Sequence, residues 1–167
     1  MSYRDLADED CSIARPIAVL GDRWTLIVLR QCFRGVRRFE EFQSTLGLSR
    51  SVLSQRLGHL VENGILERRA YTGDRRSRDE YVLTDKGMDL YPVLMALRTW
   101  SDKYQAPDGA LVEYHHRGCS GSAVVRHMCA ECGQELTARD VTPMPGPGAA
   151  VRRAASPSEP SAGSAAR

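Results

Sequence analysis

The sequence predicts a mostly α-helical domain with a small β-wing, a winged helix-turn-helix, followed by a small β-rich, zinc-ribbon-like C-terminal module. Three observations predict it. Two short amphipathic patterns are separated by a tight break at Gly47-Leu48. Two strand-like runs follow, joined by an Arg-rich polar connection. Further on, two pairs of metal-ligating residue types each carry a two-residue spacer. The expected organisation is an acidic arm at 1–10, the winged domain at 11–104, the Cys/His module at 111–142 and a disordered tail at 143–167.

The segment Trp24–Phe33 is apolar at positions 24, 27, 28 and 32, the pattern of a buried helix, and Gly35 ends it. A short amphipathic helix comes next, with Phe39, Phe42 and Leu46 on one side. Ser49 reads as the N-cap of a helix whose core stripe is Leu53, Leu57, Leu60 and Val61 and which ends at Asn63-Gly64. Ile65–Tyr71 and Asp79–Leu83 read as strands, with the polar loop 72–78 between them. A last helix starts at a Thr84 cap and carries Leu90, Leu94, Leu97 and Trp100. Pro92 falls inside it, removes one backbone donor and should bend it. Trp24 and Trp100 lie on apolar stripes, where packing is the expected role.

Composition narrows the function. None of the runs in these 167 residues approaches the ~20 apolar residues a membrane span needs. The opening MSYRDLADEDC is acidic where a secretory signal would be apolar. The expected compartment is the cytoplasm, where five Cys do not make a disulfide framework. The formal charge is only +2, but it is unevenly spread: residues 34–78 hold ten Arg against five acids. Residues 1–10 hold Asp5, Asp8, Glu9 and Asp10 against Arg4. A basic stretch suggests a polyanion as partner. The 21 Arg against two Lys also reflect the bias of a GC-rich genome, so Arg content alone decides nothing. From Pro143 onward the chain has five of its eight Pro and no aromatic residue, too little apolar area to offset ordering entropy.

On the helix from Ser49, the face opposite the leucines holds Ser51, Ser54, Gln55 and Gly58, with Val52 and His59 toward its edge and Arg50 projecting from its first turn. These short polar groups can hydrogen-bond base edges in a major groove. A solvated helix face is polar too. What argues for DNA is that no acid stands between Arg50 and His59. Arg75, Arg76 and Arg78 on the hairpin connection can reach phosphates or a minor groove. Arg37 and Arg38, at the start of the bracing helix, can clamp the backbone.

Gly21-Asp-Arg-Trp-Thr-Leu-Ile-Val-Leu-Arg30, Gly35-Val-Arg-Arg-Phe-Glu-Glu-Phe42 and Leu48-Ser-Arg-Ser-Val-Leu-Ser-Gln-Arg-Leu57 resemble the HxlR-type bacterial transcriptional regulators, winged-helix proteins related to MarR. The resemblance resumes at Gly64–Tyr71, Glu80–Gly87 and Leu90–Leu94 and closes at Trp100, covering roughly residues 11–104 in unbroken order. It implies a homodimer whose interface is the last helix with the N-terminal segment. It implies too that the helix from Ser49 reads DNA, with Arg75–Arg78 as the wing. Thr72-Gly-Asp-Arg-Arg-Ser departs from the Pro and hydrophobic residue that members often place at the wing approach. Several members sense oxidants or electrophiles through an N-terminal cysteine, and Cys11 occupies the matching place.

Reactivity at Cys11 would need thiolate character, which Glu9 and Asp10 oppose and a helix N-terminus favours. Cys32 falls on a buried face and reads as core. His116-Arg-Gly-Cys119 and Cys129-Ala-Glu-Cys132 are two ligand pairs separated by nine residues. Zinc takes four such ligands in a tetrahedron, and a module this poor in large apolar residues needs a staple, which together point to structural zinc. His115 and His127 are alternative ligands; a reduced thiol cluster and a CxxC redox couple are alternative roles.

The reading is a sequence-specific, dimeric DNA-binding regulator without catalytic role, acting on an inverted repeat, with room for a small-molecule or redox effector. The alternative is a zinc- or thiol-dependent enzyme using Cys129 and Cys132. No general base pairs recognisably with those cysteines, and a four-ligand site leaves no open position for substrate.

Overall fold

The computed structural model describes residues 11–73 and 76–149, and side chains outside 72–78. The acidic arm, the Asp74-Arg75 tip and residues 150–167 of the expected tail lie outside the described residues. The chain divides into two compact units, with the boundary between Val125 and Arg126.

The first unit runs α1 (Ala14–Leu20), α2 (Arg23–Phe33), α3 (Phe39–Leu46), α4 (Arg50–Glu62), β1 (Leu66–Gly73), β2 (Arg76–Leu83), α5 (Asp85–Met88) and α6 (Tyr91–Tyr104). Its core is assembled from Val28 and Leu29 of α2, Phe42 of α3, Leu48 of the turn, Leu53, Leu57 and Leu60 of α4, and Ile65, Leu66 and Tyr81 of the sheet. Each fully buried Leu contributes about 1.5–3 kcal/mol relative to exposure. Phe42 meets Tyr81 edge-on, with 6.4 Å between ring centres, which joins α3 to the hairpin.

Helix boundaries follow local chemistry. Asp22 caps α2, its carboxylate accepting from the Trp24 amide at 2.8 Å. Glu41 reaches back to accept from the Arg37 and Arg38 amides at the start of α3. Gly47 closes α3 in the left-handed region, with φ +63°, so the chain reverses within three residues into the Ser49 cap of α4. That tight reversal sets the angle between the bracing helix and α4.

The hairpin is antiparallel, pairing Leu66 with Leu83 and continuing to Gly73 with Arg76. It is longer than the sequence suggested. The expected polar loop 72–78 shrinks to two residues, because strand pairing is made by backbone groups and a polar side chain does not forbid it. A short segment joins the edge of β2: Arg38 bridges Glu80, and the Tyr81 amide donates to the Arg37 carbonyl at 2.9 Å.

The expected single last helix is two. Thr84 caps α5, accepting from the Gly87 amide at 3.1 Å. α6 then starts anew with Pro92 in its first turn, where a missing donor costs nothing, so Pro92 opens a helix and does not bend one. Gly87 sits against the sheet: a Cβ built there would fall 2.2 Å from the Ile65 carbonyl oxygen.

Beyond α6 none of the described residues is buried. Where the sequence suggested a β-rich module, the described residues past α6 form single bridges, His115 with Ser122 in the first unit and Met128 with Glu135 in the second. No helix among the described residues is long and apolar enough to cross a membrane.

Candidate nucleic-acid interface

α4 is held from behind and open in front. Leu53, Leu57 and Leu60 are fully buried, while Ser51, Ser54 and Gln55 are exposed on one surface. A Cβ built on Gly58 would meet nothing within 4 Å, so that turn presents open space to an approaching partner. At the N-terminus the Ser49 hydroxyl accepts from the Val52 amide at 3.3 Å and lies 3.2 Å from the Ser51 hydroxyl.

Two residues fix the helix against the scaffold. Arg56 reaches Asp22, with 3.4 Å between Nη1 and Oδ2, and its Nη2 donates to the side-chain Oε1 of Gln55 at 3.0 Å. Gln55 therefore keeps its NH2 as the end offered to a base, a donor matching guanine O6/N7 or thymine O4. His59 turns inward: its Nε2 lies 3.0 Å from the Val19 carbonyl oxygen and its Nδ1 3.4 Å from the Asn63 amide nitrogen. It ties α4 to α1, which removes it from the outer edge where the sequence placed it.

The predicted cations divide. Arg50 does not project; its guanidinium lies over the Phe39 ring at 5.0 Å and donates to Gln43 Oε1 at 3.5 Å, back along α3. Arg38 lies over Tyr71 at 4.4 Å and donates to Glu80 at 3.3 Å, so much of its charge is already engaged at the base of the wing. Glu80 is also the main reason its pKa is raised. Arg37 is exposed. Arg76 and Arg78 sit on β2 opposite Gly73 and Tyr71, and their side chains, like all of Arg75, lie outside the described residues.

A second surface was only half legible. Leu90 and Leu94 of α6 pack on the core as expected, but Val93, Leu97, Trp100 and Tyr104 are exposed, Trp100 by 56%. Trp100 is thus not a core residue of this chain, whereas Trp24 does pack against the core. Ile13 and Ile17, at the start of α1 and within it, are exposed too. The sequence signal was present: apolar residues in α6 occupy more of its circumference than one core-facing stripe needs.

The thiols differ sharply. Burial pushes the Cys32 thiol up to about 12, so it stays protonated in the core. Cys11 is exposed. A cavity of about 260 Å³ beside Cys32, lined also by Phe33, Tyr81 and Met88, is smaller than the ~300–1000 Å³ of most small-molecule sites. In the C-terminal region His116 Nδ1 lies 3.3 Å from Cys119 Sγ. Cys129 receives hydrogen bonds from the amides of Cys132 and Glu131 and from the Cys132 side chain, which hold its thiol below the ordinary range. Among the described residues no three His, Cys, Asp or Glu are gathered as a metal cluster.

Comparison with known proteins matches this arrangement. Residues 19–109, just over half of the chain, match the family model described as HxlR-like helix-turn-helix. An HTH-type transcriptional regulator of Mycobacterium tuberculosis, Rv3095, is 42% identical over 159 residues, 93% of this chain and all of that protein. The crystal structure of PA1607, a candidate transcription factor, is similar with a TM-score of 0.77 and 36% identity, covering 84% of this chain and 98% of its own. The reduced form of the Bacillus subtilis transcriptional regulator YodB is similar with a TM-score of 0.51 and 29% identity, over 59% of this chain and 98% of its own. The first two matches extend past the winged domain. The chain belongs to the HxlR-like helix-turn-helix family of transcriptional regulators.

Proposed function

We propose that the protein acts as a homodimer on an inverted-repeat DNA site, each protomer laying the Ser51, Ser54 and Gln55 face of α4 in the major groove. The observation that carries this is that face itself: small, hydrogen-bonding, exposed, free of acids from Arg50 to His59, and braced from behind by Arg56 and His59. Ser49 and Arg50 stand at its N-terminal end, where a swing of Arg50 off Phe39 would bring its guanidinium to a base or phosphate. Arg37 and the wing residues Arg75, Arg76 and Arg78 supply phosphate contacts, and Arg38 supports the wing. Affinity then falls steeply with salt, because each neutralised phosphate releases counterions.

The dimer reading rests on α6. Val93, Leu97, Trp100 and Tyr104 recur at helical spacing on a surface that water would otherwise cover, and Ile13 and Ile17 add to the exposed apolar area. Two-fold pairing of that surface places two α4 helices for half-sites about one helical turn apart.

Footprinting on DNA from around the protein's own gene, with excess unrelated duplex and a reductant present, tests the reading. Two protected half-sites related by a dyad are expected; protection that vanishes with competitor on selected as well as genomic DNA contradicts it. Cys11, exposed beside α1, is the proposed site for a redox effector. Its alkylation should change DNA affinity, and Cys11→Ser should remove that response. We assign no catalytic step; the similar proteins described above are regulators.

A further inference from the structure

Three helix ends meet at one corner of the first unit. Phe33 is the last residue of α2, Met88 the last of α5 and Tyr91 the first of α6. Together with Asp89 and Pro92 they line a cavity of about 630 Å³. That volume lies within the ~300–1000 Å³ range of small-molecule sites.

The corner is held by its own backbone. The Met88, Asp89 and Leu90 amides donate to the Thr84, Asp85 and Gly87 carbonyls at 2.8, 3.0 and 3.1 Å. Gly87 is pressed against the Ile65 carbonyl, where no side chain fits, so α5 is fixed on the sheet. Pro92 locks one backbone angle in the first turn of α6. The cavity thus stands ready before any ligand enters, which spares the ordering cost of binding.

Its lining has a definite chemistry. The Phe33 and Tyr91 ring centres are 5.1 Å apart, with their planes at 56°. Rings at that angle do not stack face on face, so parts of both π-faces stay uncovered. Met88, 53% exposed, adds a polarizable thioether.

An apolar hollow alone would accept any oily molecule, and Asp89 makes this one selective. Among the residues lining the cavity it alone is charged. Its side chain is exposed, forms no ion pair among the described residues and accepts from no amide of α6. Two rings, a thioether and a free carboxylate suit a cation that is itself partly apolar. The ring quadrupoles attract a positive charge within about 6 Å of their centres, and the carboxylate adds Coulombic pull.

The neighbouring hollow of about 260 Å³ shares Phe33 and Met88, but its charged lining residue is Arg37. An anion would be drawn there, so the charge of a ligand separates the two. The larger cavity also stands clear of the exposed α6 stripe. Two residues before Val93, Tyr91 lies about 160° around the helix from it. A second chain seated on Val93, Leu97, Trp100 and Tyr104 would leave Tyr91 open.

We propose that the cavity where α2, α5 and α6 meet binds a small organic cation, an alkyl- or arylammonium. Its charged nitrogen lies against the Phe33 and Tyr91 rings and the Asp89 carboxylate. The proposal stands whether or not α4 reads DNA.

The test titrates the full chain with benzyltrimethylammonium and follows the Met88 methyl signal by NMR in protein carrying isotope-labelled methionine. A saturable shift is expected, with half-saturation below about 1 mM. Phenylacetate and benzyl alcohol at the same concentrations should leave the signal in place. Asp89→Asn alters an exposed side chain without changing its size and should weaken the cation about tenfold. Tyr91→Leu should weaken it by a similar factor, with thermal unfolding as the check that it is folded. The unaltered chain decides the matter even if Tyr91→Leu is not: no saturable shift of Met88 overturns the proposal. So does equal binding of phenylacetate, which gives the corner to Arg37, or of benzyl alcohol, which leaves only an unselective apolar hollow. Unchanged affinity in Asp89→Asn overturns it too.

Discussion

Asp22 serves two helices with one carboxylate: Oδ1 accepts from the Trp24 amide at 2.8 Å, and Oδ2 lies 3.4 Å from Arg56 Nη1. The cap of α2 is thereby the anchor of α4. Arg56 is mostly buried, and its Nε is itself buried without a partner, so the guanidinium depends on Asp22 for compensation. Asp22→Ala should cost about 1–3 kcal/mol, combining a lost cap with a half-buried unpaired charge. Urea unfolding measures it; a cost within a few tenths of a kcal/mol would show that Arg56 finds water instead.

Gly87→Ala tests the packing of α5 on the sheet. Alanine should favour a helix by up to about 1 kcal/mol over glycine. Here the added methyl would meet the Ile65 carbonyl at 2.2 Å, a backbone atom that cannot swing aside. The collision should dominate, for a net loss of about 1–3 kcal/mol in the same assay.

Leu97→Glu places a charge in the middle of the exposed α6 stripe without touching the core. Sedimentation velocity should find the unaltered chain dimeric and the variant monomeric, with thermal unfolding of the monomer still cooperative. A variant that remains dimeric would move the interface elsewhere.

Cys32 predicts a pH dependence with a definite sign. Its thiol lies near 9.0 in the unfolded chain and about 12 when folded, so above pH 9 the unfolded chain binds fewer protons than the native one. Stability from this group is intact below pH 9 and is lost progressively as pH rises toward 12. At pH 8 Cys32 should resist alkylation in the native protein while exposed Cys11 reacts, a contrast readable by mass spectrometry.

Much of the winged domain was legible in the sequence because its signals are local. The Ser49 cap and the Asn63-Gly64 stop bound α4 at both ends, and the leucine spacing selects its buried face. Other features depend on tertiary context. The hairpin continues through polar residues because its bonds are made by the backbone, and Pro92, with no amide to donate back to Met88, stands in the first turn of a separate helix. His59 and Arg50 both look like surface residues in sequence; a carbonyl of α1 claims the first and an aromatic ring of α3 the second. The wing tip at Asp74-Arg75 stays a sequence-level expectation.

If the outer face of α4 reads DNA, a charge placed at Ser54 must disrupt it. Ser54 is exposed and small, so Ser54→Glu should leave the fold and the dimer unchanged while setting an acid against the base edges and phosphates. Dissociation constants for a selected inverted repeat and for random duplex should be measured side by side, at one fixed salt concentration. The unaltered protein should prefer its site by ~10³-fold or more, and Ser54→Glu should lose at least 100-fold on the selected site while unfolding at the same temperature. Undiminished, equally selective binding by Ser54→Glu would contradict the account and take α4 out of the groove.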